Sequence, residues 1–185
     1  MITTSHSSMA NARSLNFAIM ACDVVIIAAV EGQCLGGGLE VATLCHRVIA
    51  SGDAKFAQPE IRLGVFAPIA SIALVDRIGR VNAEDLCLSG RTIDVGVAHV
   101  MGLVTAVDDH PAEAALAWAR EQLGPHSASS LRHAVRAIRA DLTRRLHAEL
   151  PALESQYLQQ LMLTPDAVEG LTAFVEKRAA TWRHA

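Results

Sequence analysis

The stretch from Val24 to Cys45 constrains this chain more than any other. A run of apolar, mostly β-branched residues, VVIIAAV at 24–30, leads through Glu31 and Gly32 to three consecutive glycines, Gly36-Gly37-Gly38, and straight into LEVATLC. An apolar run of that length reads as a strand buried on both faces, and the segment after the glycines reads as a helix. A second strand is expected at 48–51, followed by a Gly52-Asp53 turn and the segment AKFAQPE at 54–60. Strand, glycine turn, helix, strand, loop is the alternation of an α/β fold with a parallel sheet. The apolar runs are too short to span a bilayer, which takes about 20 residues. The opening MITTSHSS has no cationic start followed by an apolar block, so no signal peptide is expected.

Downstream the punctuation continues. Weak helical spacing at 9–21 puts Leu15, Ile19 and Met20 on one side. Pro68 to Ile78 is apolar and stops at Gly79; Asn82 is placed to cap a helix ending near Gly90; Asp94 starts a short helix that stops at Gly102. LVTAV at 103–107 reads as a strand, and Pro111 opens an Ala-rich helix that reaches Gly124. From 126 on the pattern is helical. Leu131, Val135, Ile138, Leu142 and Leu146 form one apolar stripe, with Arg132, Arg136, Arg139, Arg144 and Arg145 outside it. Pro151 is expected to break that helix, Leu153, Tyr157 and Leu161 to continue in the next, and Thr164-Pro165-Asp166 to start the last. The organisation expected is an α/β core over 1–125 and a helical region over 126–185.

Charge and composition narrow the function. With 185 residues, 51% hydrophobic and 19% charged, the chain has material for a core and none of the signature of disorder. Sixteen basic against nineteen acidic residues give a net charge of −3, which offers nucleic acid no general attraction. An RNA-binding role for the arginine-rich helix stays open, though with 4% aromatics there is little for bases to stack on. Cys22, Cys34, Cys45 and Cys87 show no CxxC spacing and the histidines no ligand spacing, so no metal is expected and the cysteines are read as reduced, in a cytoplasmic protein.

Chemistry concentrates in EGQCLGGGLE and AKFAQPE. Three glycines between strand and helix leave unhindered backbone N–H groups at a helix N-terminus. They serve either tight packing or an anion or oxyanion site; the Lys and Ser/Thr of a P-loop are missing. Glu40 lies in the helix's first turn among Leu39, Val41 and Ala42. A carboxylate there is either paired, with Arg47 as a candidate, or working. Glu60, after Pro59 at a strand exit, is the second candidate. Two carboxylates in apolar surroundings can share proton withdrawal and delivery.

The stretch VVIIAAVEGQCLGGGLEVATLC at 24–45, AKFAQPEIRLG at 54–64, and EGLTAFVEKR near the C-terminus resemble the crotonase (enoyl-CoA hydratase/isomerase) superfamily. The wording GQCLGGGLE with LGVFAP is most similar to its cyclohexa-1,5-dienecarbonyl-CoA hydratase branch. The resemblance implies a ClpP/crotonase spiral of ββα units with a C-terminal helical trimerisation region. It implies an acyl-CoA thioester as substrate, a homotrimer or hexamer, no metal or redox cofactor, no nucleic acid and no membrane. Gly37 matches the position whose N–H holds the thioester oxygen, Glu40 and Glu60 the catalytic pair, and Phe174 and Lys177 positions that help bind CoA. Hydratases keep both glutamates, which favours hydration over isomerisation. Members also carry a longer part ahead of the point where this sequence begins, expected to supply several strands, much of the CoA surface and the second oxyanion donor. Losing one such donor costs about 10²–10³ in rate, so a subunit that only assembles with a full-length relative is the alternative.

Overall fold

The computed structural model describes residues 15–184; MITTSHSS and the first part of the 9–21 helix lie outside them. The chain enters as a helix over 15–21 (α1). It continues through β1 (Ile27–Val30), β2 (Gln33–Leu35), α2 (Gly37–Leu44), β3 (Arg47–Ala50) and β4 (Lys55–Ala57) to a 3-10 turn at Pro59–Leu63. Two consecutive helices, α3 (Pro68–Ile78) and α4 (Arg80–Ser89), precede β5 (Ile93–Asp94), α5 (Val95–Val100) and β6 (Ala106–Val107). The rest is helical: α6 (Pro111–Gln122), the long α7 (Ala128–Gln159), a 3-10 turn at Leu161–Leu163, and α8 (Pro165–Val175).

The strands form two small sheets where the sequence suggested one. One has the order β1-β3-β6, all parallel, with Ile27 opposite Arg47 and Val30 opposite Ala50. The other has the order β2-β4-β5, with β2 and β4 parallel and β5 antiparallel to β4. Each pass of the chain contributes one strand to each sheet, so Gly32 and the Gly52-Asp53 turn are places where it steps from one to the other. The expected first strand is shorter than VVIIAAV and is not buried on both faces: of β1 only Val30 is buried. The 103–107 strand is reduced to two residues.

Two apolar clusters hold the layers together. The larger joins Leu39 and Ala42 of α2, Val48 and Ala50 of β3, Phe56 of β4, Leu74 of α3 and Leu86 of α4. The smaller joins Met20 of α1, Leu44 of α2, Ile69, Ile72 and Ala73 of α3, and Leu146 and Leu150 of α7. Burial of each Leu or Ile contributes about 1.5–3 kcal/mol, and the second cluster is why α7 lies against the α/β layer.

Helix ends follow local chemistry in most places. Asp94 accepts from the Val97 N–H and Thr164 from the Ala167 N–H, so both expected starts are capped by the expected side chains. Asn82 does not cap. Helix α4 begins at Arg80, and the Asn82 amide donates instead to the Ile78 carbonyl at the end of α3.

The long helix departs most from the pattern. Its buried positions include Val135, Arg139, Leu146 and Leu150, while Ile138 is 81% exposed. Arg139, 8% exposed, donates to the Leu44 carbonyl at the C-terminus of α2, and Arg77 donates to the Cys45 carbonyl at 2.7 Å. Two cations there satisfy carbonyls that the end of α2 leaves open and meet the negative end of its dipole. That gain turns Arg139 inward and its neighbour Ile138 outward. The other arginines lie near carboxylates of the same chain: Arg132 and Arg136 near Asp23, Arg144 with Asp141, and Arg145 with Asp141 and Asp76. Nor does Pro151 end the helix, which runs on to Gln159. A helix-interior proline costs about 3 kcal/mol. Leu150 in the second cluster and Leu153 packed against it hold the helix in line on either side.

Helix α8 docks on the turn at 59–63. A Cβ on Gly170 would lie 2.2 Å from the Leu63 carbonyl oxygen, so glycine alone permits this approach. Beyond α8 the chain folds back: Arg178 pairs with Glu169, and the Arg183 and His184 amides donate to Asp166. Gly170→Ala is expected to lower stability by about 1–3 kcal/mol through overpacking, read from urea denaturation; unchanged stability would show that α8 is free to shift away from the turn.

Candidate active site

The site grows from the junction of β2 and α2. Gly36 has φ 54° and ψ −123°, a conformation natural to glycine, and its N–H donates to the Ala57 carbonyl at 3.0 Å. This bond ties the glycine turn to the end of β4, and so to the residues that lead into Glu60. A Cβ on Gly36 would come within 2.7 Å of Glu60 Oε1. The triplet therefore divides its tasks. Gly36 lets the backbone approach the second carboxylate, while Gly37 and Gly38 meet nothing among the described residues within 4 Å of where a side chain would begin. Gly37 is the first residue of α2, where backbone N–H groups lack helical partners.

Glu40, one turn in and 9% exposed, is not paired with Arg47. Its Oε1 accepts the Ile69 and Ala70 N–H groups, each at 3.1 Å. Helix α3 has no side-chain cap of its own at Ala67, and Pro68 at its first position has no N–H. The carboxylate of α2 thus caps α3 across the structure. Arg47 instead lies over the Trp118 ring, 4.3 Å from its centroid. Burial pushes the Glu40 carboxyl up to about 7; the Ala70 amide opposes the rise, and the negative charge of Glu60 adds to it.

Glu60 sits in the first turn of the 3-10 segment after β4. Burial raises its pKa too, opposed by its own backbone and by the nearby Gln58 amide. Gln58 is 1% exposed, and its Oε1 and Nε2, like Glu60 Oε2, meet no hydrogen-bond partner among the described residues. Cys87 of α4 is close enough to feel both carboxylates; burial first, then Glu60 and Glu40, push its thiol up to about 11 and leave it unreactive.

The structure therefore brings together Gly37 and Glu40 of α2 and Glu60 of the 3-10 turn. Phe174 and Lys177 are not in this buried cluster. Phe174 is 65% exposed on α8, and Lys177 is exposed just beyond it, with φ +55°. Sequence reasoning missed Gln58 and Cys87 as neighbours of the pair. For Gln58 the signal was present, as an amide wedged between Phe56-Ala57 and Pro59-Glu60 in an otherwise apolar segment; for Cys87 there was none.

Two raised carboxyls beside a glycine-led helix N-terminus can hold one proton between them next to open donors. The profile of the enoyl-CoA hydratase/isomerase family matches residues 2–185. The chain belongs to that family. It is 53% identical over 161 residues to the cyclohexa-1,5-dienecarbonyl-CoA hydratase of Thauera aromatica, covering 87% of this chain and 62% of that protein. It is 41% identical over 162 residues to a probable enoyl-CoA hydratase of Rhizobium meliloti (strain 1021), covering 86% of this chain and 62% of that one. The crystal structure of an enoyl-CoA hydratase/isomerase from Pseudoalteromonas atlantica T6c superposes with a TM-score of 0.81 at 32% identity, over 90% of this chain and 68% of that one. The fold is accordingly the crotonase fold, and the chain spans about 62% of the length of these two curated relatives.

The anchoring of Glu40 has a measurable consequence. Its pKa is raised on folding, so its contribution to stability is full below about 4.5 and is lost as pH rises through about 7. Glu40→Gln keeps an acceptor for the α3 amides and removes the charge. Wild type should therefore lose stability relative to Glu40→Gln across that window in denaturation curves. Glu40→Ala, which leaves both amides without an acceptor, should cost about 1–3 kcal/mol.

Proposed function

We propose that this chain carries the hydration site of a hydro-lyase that adds water to an α,β-unsaturated acyl-CoA thioester. The observation that carries the reading is the pair of the buried Glu40 and the half-buried Glu60, both with raised pKa values and both next to the Gly36-Gly37-Gly38 turn. Two interacting carboxyls of raised pKa can divide the taking and giving of a proton between them. One member, ionised, takes a proton from water as its oxygen attacks the carbon conjugated to the thioester. The other, protonated, delivers a proton to the α-carbon, so hydrogen and hydroxyl are added and the pair ends with its proton count unchanged.

Charge that builds on the thioester oxygen during attack is taken by the Gly37 N–H, reinforced by the positive end of α2. Because the thioester itself acidifies the α-carbon, this scheme asks for no metal and no redox cofactor. An oxyanion hole takes a second donor, which this reading assigns to no residue of 15–184. Phe174 and Lys177, both exposed, are assigned to CoA across a subunit boundary in a homotrimer or hexamer. Such assembly does not rest on the apolar stripe of α7, most of which is used inside the chain; Ile138 is the member left outward. The acyl group is assigned as a cyclic diene, on the likeness to the Thauera aromatica enzyme. The arginines of α7, close to carboxylates or buried, favour this reading over one in which the helix binds RNA.

The test is a spectrophotometric hydration assay with cyclohexa-1,5-dienecarbonyl-CoA and crotonyl-CoA. Turnover is expected, with Glu40→Gln and Glu60→Gln each lowering kcat/KM by about 10²–10⁴. A folded, assembled protein that hydrates neither substrate overturns the reading and leaves an assembly role. The pH profile of kcat/KM should be bell-shaped, with the alkaline limb near 7, where Glu40 gives up its proton.

A further inference from the structure

Along the chain, Phe66 lies between the turn that carries Glu60 and the helix start that holds Glu40, and with Tyr157 it forms an aromatic pair that no part of the hydration scheme uses. Phe66 follows Val65, whose N–H donates to the Glu60 carbonyl at 3.2 Å, and precedes Ala67, the residue from which α3 starts. It is thus fixed on one side to the turn that carries Glu60. On the other side it adjoins the helix N-terminus that holds Glu40. The Phe66 ring meets Tyr157 of α7 edge-on, with centroids 5.5 Å apart and planes at 67°. Tyr157 in turn lies within reach of the Glu60 charge. Both rings are half-buried, so each leaves part of its surface uncovered.

We propose that Phe66 and Tyr157 form the wall against which the acyl group lies, and that this wall selects a flat unsaturated ring over a straight chain. The proposal rests on the hydratase reading and deepens it. If the pair only fastened α7 to the loop, two aliphatic side chains would serve and a phenol beside a carboxylate would cost desolvation for no return. A flat conjugated ring can enter an edge-to-face or offset arrangement with both aromatics, a contact worth more than its area alone. A saturated chain offers no such partner. Tyr157 contributes from α7, so the helix that lies outside the α/β layer sets the acyl preference.

The experiment compares wild type, Tyr157→Phe and Tyr157→Leu as assembled proteins, using kcat/KM for cyclohexa-1,5-dienecarbonyl-CoA and for crotonyl-CoA. Tyr157→Leu is expected to lower the ring-to-chain ratio about tenfold, the scale of a lost pocket contact, while Tyr157→Phe keeps it. A ratio unchanged in Tyr157→Leu, or both substrates slowed equally, overturns the proposal. Tyr157 is the chain's only tyrosine, so fluorotyrosine labelling gives a single fluorine resonance that reads the site without turnover. The ring thioester should shift that resonance and crotonyl-CoA should shift it less. Glu60→Gln should move the phenol's titration downward, because the Glu60 charge that helps hold it up is gone. If wild type hydrates nothing yet the resonance answers the ring thioester, the hydratase reading fails and the wall stands; if the resonance answers neither thioester, the wall fails.

Discussion

The carboxylate of Glu40 on the bare amides of α3 is the contact on which the rest of the arrangement depends. It joins the helix that follows the glycine turn to the helix that follows the Glu60 turn, and it does so from inside the protein. Helix α3 begins with an alanine cap and a proline, a start that leaves two N–H groups with nothing local to meet them. Satisfying them with a side chain on α2 sets the spacing of α2 and α3. It also places Glu40 where the charge of Glu60 bears on it. The same bonds that stabilise the fold keep the acid from rising as far in pKa as burial alone would drive it. Structure and chemistry are here one interaction.

A second set of contacts works on the other end of α2. Arg139 and Arg77 reach the carbonyls of Leu44 and Cys45, and Arg139 does so from α7. Helix α2 is only eight residues long, so its two ends account for nearly all of its open backbone groups. Its N-terminus is left free for chemistry while its C-terminus is closed by cations. The polarity of the helix is thereby preserved in the direction that favours negative charge at Gly37.

What the sequence made legible was local. Thr164, Asp94 and Pro68 mark helix starts through their own backbone chemistry, and the structure places helices there. The glycine triplet and the two glutamates stand out because their spacing and residue types are unusual in an apolar stretch. What was not legible came from contacts between distant segments. Arg139 and Ile138 exchange faces because of a carbonyl on α2, which no periodicity within α7 records. The helix passes Pro151 because core residues on both sides hold it. Glu40 finds amides on α3 instead of Arg47, and Arg47 finds the face of Trp118. The division into two sheets follows from where the chain steps at Gly32 and Gly52-Asp53, and the alternation of strands and helices reads the same for one sheet as for two.

The close seat of Gly170 against the Leu63 carbonyl has a consequence for how the site comes and goes. The turn at 59–63 belongs by sequence to the α/β layer, yet part of its support comes from a helix about a hundred residues further along. Contacts of such long separation form late and open early, since closing a long loop precedes any reward from the contact. A cleavage in the stretch after α7 would release that support and loosen the mounting of Glu60 while the apolar cluster around Leu39, Phe56 and Leu74 stayed intact. The placement of Glu60 and the foldedness of the core are therefore separable in this chain, with the former resting on the weaker attachment.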